Sequence, residues 1–101
     1  MRLEVIASKR NGPMDEDVLR QQLEDEGFGV CRWRDEAGAD YRPHSHDHDE
    51  SLWILEGEII FGAGGRELHL RPGDRLMLPK GMVHTARVGA DGCTYLIGER
   101  V

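Results

Sequence analysis

Residues 38–57 read GADYRPHSHDHDESLWILEG, and residues 71–84 read RPGDRLMLPKGMVH. His44, His46 and Glu50 stand in the first stretch and His84 ends the second. Three imidazoles and a carboxylate make a complete ligand set for one divalent transition metal. Each cluster sits among glycines and prolines that mark tight turns between strands. Together they predict a small all-β barrel with a metal at its centre.

The spacing sets how these side chains project. Alternate residues on a strand share a face, so His44 and His46 point together and Ser45 points away. After a turn at Asp47–Asp49, Glu50 opens the next strand, which a hairpin can bring opposite the histidine pair. Glu50, Leu52 and Ile54 then share one face, a carboxylate at a pocket mouth with apolar residues deeper. Met82 is expected to join that wall. His84 lies on a distant strand and is expected to close the site across the barrel. His46 and His48 could form the pair instead, but that leaves only Asp49 before Glu50, too little chain for a turn. His48 is therefore read as a loop residue. Asp47 and Asp49 are read as solvated, or as acceptors that orient a ligand histidine. A zinc hydrolase of the His-x-His-x-Asp-His type is excluded. Its acidic residue would be out of register here, and 101 residues cannot build its two-layer fold.

Working outward, Leu3–Ile6 reads as a short strand broken by Asn11-Gly12-Pro13. Met14–Glu26 reads as a helix with an apolar stripe of Val18, Leu19 and Leu23, stopped by Gly27 and packed as a lid on the barrel. From Phe28 onward the chain reads as strands. Cys31 and Trp33 alternate with Arg32 and Arg34, which places the arginines outside. Asp35–Ala39 reads as a loop, and strands follow at Arg42–His46, Glu50–Leu55 and Arg75–Leu78, with Glu58–Phe61 and Glu67–Leu70 as a hairpin around Gly62-Ala63-Gly64-Gly65. Val83–Val88 and Thr94–Gly98 flank a second hairpin signal at Gly89–Gly92. Arg71-Pro72-Gly73-Asp74 fits a type II turn. Gly57, Gly73 and Gly81 are read as turn glycines that let short strands reverse. The chain is one domain, with residues 1–29 as a strand and helix packed on a barrel of residues 30–101.

Composition narrows the function. A chain of 101 residues buries only about 60–65% of its unfolded surface, so a homodimer is expected to extend the thin core. An edge strand at the N-terminus invites the same partner, and Trp33 and Trp53 are each either interface residues or core residues under the N-terminal helix. The net charge of −6 argues against a nucleic-acid backbone, which needs a basic face. The acidic polar face of the helix argues against a membrane surface. Two cysteines, Cys31 and Cys93, are too few for a disulfide framework and are read as reduced, buried thiols. No long apolar run is present, so the expected compartment is the cytoplasm.

The two histidine stretches resemble the cupin superfamily, in its small single-domain form. Its first motif places a Gly, a His-x-His, a Glu and a second Gly at spacings met by Gly38, His44, His46, Glu50 and Gly57. Its second places Gly, Pro-x-Gly, His and Asn, met by Gly73, Pro79, Gly81 and His84, with Val88 where the Asn would stand. The resemblance spans about half the chain, Gly38 to Val88, and leaves residues 1–29 uncovered. It implies a jelly-roll β-barrel, often dimeric. It does not fix a function, since the superfamily includes dioxygenases, isomerases, decarboxylases, lyases, sensing domains and storage proteins. Four ligands on an octahedral iron, manganese, nickel or copper leave two positions for a chelating substrate or for substrate and dioxygen; zinc completes the candidate metals. The expected function is a metal-dependent oxygenase or isomerase acting on a small oxygenated or carboxylated compound. Glu50 would double as a catalytic base, and Arg32 or Arg34, if inward, would grip an anion. The alternative is a ligand-binding sensor without turnover.

Overall fold

The computed structural model describes residues 1–8 and 14–100, so the break expected at Asn11–Pro13 lies outside the described residues. The elements are β1 (Glu4–Ile6), α1 (Glu16–Asp25), β2 (Gly29–Asp35), β3 (Asp40–His44), β4 (Asp49–Ala63), β5 (Arg66–Leu70), β6 (Arg75–Leu78) and β7 (His84–Arg100). All strand pairs are antiparallel.

Two long strands organise the barrel. β4 and β7 run side by side from Asp49 opposite Arg100 to Ala63 opposite His84. The sequence pattern suggested four short strands reversing near Gly57 and Gly89–Gly92. The chain instead continues through both places as a bulged strand, with register shifts between Ile54 and Glu56 and between Gly57 and Ile59. Gly57 (φ 77°) and Gly92 (φ 75°) both occupy the left-handed region. A Cβ on Gly57 would lie 1.9 Å from the Gly92 carbonyl oxygen. Glycine is required because the two backbones meet there, and the bulge bends the pair.

Among the described residues, that bend makes one seven-stranded sheet serve as two walls. The N-terminal half of β4 and the C-terminal half of β7 carry β6, β1 and β2. The other halves carry β5 and β3. The result is an all-β, jelly-roll-like barrel. The turns at Gly64–Gly65 and Arg71–Asp74 form as expected. In the second, Gly73 has φ 93° and the Asp74 N–H donates to the Arg71 carbonyl at 2.9 Å.

β4 alternation divides the core. Leu52, Ile54, Ile59 and Phe61 pack inside with Leu70, Leu76 and Leu78. Trp53 points the other way, onto Leu19, Leu23, Phe28 and Leu96. The helix starts where the Asp15 side chain accepts the Asp17 and Val18 N–H groups, and Gly27 (φ 92°) follows its end. Leu19 and Leu23 are fully buried, whereas Val18, placed in the apolar stripe from sequence, is 50% exposed. Trp53 donates its indole N–H to the Gly73 carbonyl at 3.1 Å and lies under the Arg75 guanidinium at 4.9 Å. Arg75 in turn forks onto Glu26 at 2.7 and 3.2 Å and binds the Ser51 hydroxyl at 2.7 Å. Trp53 is therefore a core residue beneath the helix. No helix among the described residues is long and apolar enough to cross a membrane.

Candidate metal centre

β3 pairs with β7, and His44 stands directly opposite His84 in that register. His84 is thus the cross-strand neighbour of His44, not a residue reaching from the far wall. Their ring centroids lie 4.3 Å apart. His46, just past the end of β3, lies 5.0 Å from His44 and 5.2 Å from His84 by the same measure. Glu50 is the residue that comes from another wall. It sits on β4 opposite Leu78 and Glu99, and its Oε1 is 3.7 Å from His46 Nε2. β3 and β4 form no hairpin ladder among the described residues, because β3 pairs with β7.

Two imidazoles are aimed by backbone carbonyls. His44 Nδ1 faces the Arg42 carbonyl oxygen at 2.7 Å, and His84 Nδ1 faces that of Met82 at 3.0 Å. Each bond places the ring proton on Nδ1 and leaves Nε2 as the free lone pair. His84 is 3% exposed. Desolvation holds its pKa below the ordinary value, aided by the nearby His44 and His46. That favours the neutral form a metal needs. One nitrogen from each of His44, His46 and His84 falls within 4.8 Å of the others. Two nitrogens bonded to one ion at about 2.1 Å lie no more than about 4.2 Å apart, so the triad fits a metal with small side-chain adjustment.

A second triad, His46, His48 and Glu50, overlaps the first. His48, read from sequence as a loop residue, stacks on His46 with centroids 5.3 Å apart and reaches Glu50 Oε2 with Nε2 at 3.1 Å. Desolvation pulls its pKa down, but hydrogen bonds to Glu50 and Asp47 and the charges of Glu99 and Glu50 outweigh it, so the pKa is raised. Asp49 is also engaged. Its Oδ1 accepts the Lys80 N–H at 2.9 Å, and that bond holds its carboxyl below the usual range. The Gly81 N–H donates to the His46 carbonyl at 2.7 Å. These two bonds tie the loop after β3 to the loop before β7 and thereby set His46 against His84.

The cluster lies on a cavity of about 320 Å³. Leu52 lines it as expected, while Ile54 is buried in the core and the half-buried Met82 packs against that core. Cys31 and Trp33 face inward as alternation required, yet the cavity is open, so Cys31 is exposed and Trp33 is 50% exposed. Cys93 is the buried thiol, pushed up to about 12 by desolvation and the Asp35 charge. Both arginines are turned away. Arg32 pairs with Glu16 at 3.2 Å, and Arg34 donates to the Thr94 hydroxyl at 3.1 Å and to the Asp91 carbonyl. Among the described residues, no Lys or Arg lines the cavity. Sequence reasoning missed Asp35, placed in a loop, and gave no role to Tyr41 or Tyr95. Tyr41 lies three residues before His44, a proximity that alone could have drawn notice.

A bent antiparallel barrel with a histidine cluster on its inner cavity defines a class, and the comparisons agree. The chain belongs to the cupin family: residues 31–96 match the cupin domain Cupin_2. The quercetin 2,3-dioxygenase of Bacillus subtilis (strain 168) is 33% identical over 85 residues, which are 83% of this chain and 25% of that protein. The chain thus spans a quarter of the length of that curated relative. KdgF from Halomonas sp. superposes with a TM-score of 0.63 at 22% identity, over 73% of this chain and 70% of that one. An RmlC-like cupin from Shewanella frigidimarina NCIMB 400 gives 0.63 and 22% over 73% and 67%. These last two share the fold.

Proposed function

We propose that this cupin binds one divalent transition metal (Fe, Mn, Ni, Cu or Zn) through His44, His46, Glu50 and His84, and acts as an oxygenase or isomerase on a small oxygenated or carboxylated compound. The observation that carries the reading is the convergence of three imidazoles and a carboxylate on one open, largely apolar cavity. A bound divalent ion would supply Lewis acidity and open coordination positions for substrate oxygens. Three imidazoles and one carboxylate leave such an ion with net positive charge, which favours anionic or oxygen-bearing ligands. The apolar wall formed by Leu52 and Phe61 excludes competing water and strengthens that attraction. Glu50 is 7% exposed and has a second carboxylate oxygen held by His48, so it is placed to ligate and to take a substrate proton. The dioxygenase identity of one relative supports the oxygenase branch.

The test is metal analysis of protein purified without nickel resin, followed by a turnover screen. Near-stoichiometric metal is expected, and it should be lost in His84→Ala. Unchanged metal content in that variant removes His84 from the ligand set. The iron, manganese, copper and nickel forms are then tried against diols, keto acids, sugars and phenolics, following oxygen uptake and product. Micromolar binding without conversion by any metal form replaces the enzyme with a ligand-binding sensor.

A further inference from the structure

The cavity has a second polar feature beside the histidine cluster. Asp35 ends β2 with only 5% of its surface exposed. Its Oδ1 accepts the Trp33 indole N–H at 2.9 Å and the Tyr41 hydroxyl, and its Oδ2 accepts the Tyr95 hydroxyl at 2.6 Å. Trp33, Tyr41 and Tyr95 all line the cavity. A tyrosine hydroxyl has one proton and two lone pairs, and an indole has one N–H and no acceptor. All three protons are committed to Asp35. What this wall can still offer a ligand is therefore oxygen lone pairs alone. The hydrogen bond to Asp35 raises the pKa of Tyr41, and burial followed by the Asp35 bond raises that of Tyr95. The Tyr41 ring centroid is 6.1 Å from that of His44, so the wall is within one aromatic ring's reach of the cluster.

We infer that Tyr41 and Tyr95, polarised by Asp35, form a specificity-determining subsite that accepts a hydrogen bond from a ligand hydroxyl. The ligand class is then a compact, mostly apolar molecule with a metal-coordinating oxygen group at one end and a hydroxyl donor at the other. This deepens the proposed function and rests on its metal cluster. Among the described residues the lining holds no Lys or Arg, so the described wall offers no second place to hold an anion, which points to one coordinating group per ligand. An ether or carbonyl at the far end would set acceptor against acceptor and leave a partly buried group unpaired.

The probes are meta- and para-hydroxybenzoate, their methyl ethers, and benzoate, titrated calorimetrically into cobalt(II)-loaded protein. The cobalt visible spectrum reports independently whether the carboxylate reaches the ion. At least one hydroxybenzoate should bind about tenfold more tightly than benzoate and than its own ether. In Tyr41→Phe that preference should fall to within about twofold while benzoate affinity holds; Tyr41 is partly exposed, so this variant should fold. Tyr95→Phe gives the second reading of the same ratio. Equal affinities with a shifted cobalt spectrum overturn the subsite and leave the metal reading standing. Preference surviving both variants overturns it too, as does cobalt binding with no probe bound. If cobalt itself fails to bind, the metal reading falls and this inference falls with it.

Discussion

Replacing His48 by Ala separates the two overlapping triads. In the His44, His46, Glu50 and His84 arrangement, His48 does not touch the metal. It holds Glu50 through the 3.1 Å bond to Oε2, and Glu50 is 7% exposed, so water substitutes poorly for the lost partner. Removing such a supporting contact weakens metal affinity by about 10–100-fold. At free metal 100 times the original dissociation constant, binding adds about 2.7 kcal/mol of stability, and a site weakened by that factor adds about 0.4–1.4 kcal/mol. The metal-dependent loss is then about 1.3–2.3 kcal/mol, or about 5–18 °C in Tm for a domain of this size. The assay is thermal unfolding at fixed free metal with and without chelator, so that any metal-independent effect of losing the His48 side chain is subtracted. Competition with a chromophoric chelator gives the affinity directly. His44→Ala and His84→Ala should abolish binding. If His48→Ala abolishes binding while His44→Ala retains it, the metal sits in the His46, His48 and Glu50 triad and the proposed ligand set is wrong. If His48→Ala changes neither affinity nor Tm, the bond to Glu50 does not support the site.

The Glu26–Arg75 clamp should hold the helix to the barrel. Glu26→Gln leaves a guanidinium on a 4% exposed residue without its counter-charge and, discounted for the partial exposure of Glu26, should cost about 1–3 kcal/mol in urea unfolding. The Arg75 hydrogen bond lowers the Glu26 pKa below its ordinary 4.5. The carboxylate's contribution is therefore present above that value and is lost as pH falls through the folded pKa. The gap between wild type and Glu26→Gln should close in acid; a gap constant from pH 7 to below that range would refute the assignment. Gly57→Ala forces a Cβ against the Gly92 carbonyl at a positive φ and should destabilise by about 2–4 kcal/mol, and a loss under about 1 kcal/mol would show that the bulge is not tight. A thiol reagent should label Cys31 alone in the native protein and both free cysteines after unfolding; fast native labelling of Cys93 would contradict its burial. The chain is expected to be a homodimer by light scattering at micromolar concentration, and a monomer there would count against it.

The fold was legible where one residue type admits one local answer. Gly64–Gly65 and Pro72–Gly73 signalled turns because their backbone conformations exclude most alternatives, and both formed. Gly57 and Gly92 sent the same signal but produced a bulge, because left-handed glycine serves both reversal and close backbone approach. Only the pairing of β4 with β7 distinguishes those outcomes, and pairing between residues so far apart in sequence leaves no local mark. The same ambiguity explains Val18. Helical spacing identified the buried face through Leu19 and Leu23, but the width of that face depends on what lies beneath, here Trp53 and Phe28.

That the histidines gather was legible from their spacing, whereas their relative placement was not. His44 and His84 are forty residues apart and become neighbours only through the β3–β7 register. Glu50 was assigned to the near wall and belongs to the other. His48 was set aside by an argument about turn length, which tests whether a residue can share a strand face but not whether a bent loop can fold its ring back onto His46. Asp35 marks the deeper limit. An aspartate after alternating Cys, Arg, Trp and Arg reads as the start of a loop, since an isolated buried carboxylate is costly. It is buried here because Trp33, Tyr41 and Tyr95, drawn from three different strands, each direct a donor onto it. Each donor alone looks like an ordinary aromatic residue. Only their convergence offsets the desolvation of Asp35, and that same convergence leaves the cavity wall beside the histidines with lone pairs to offer and no protons.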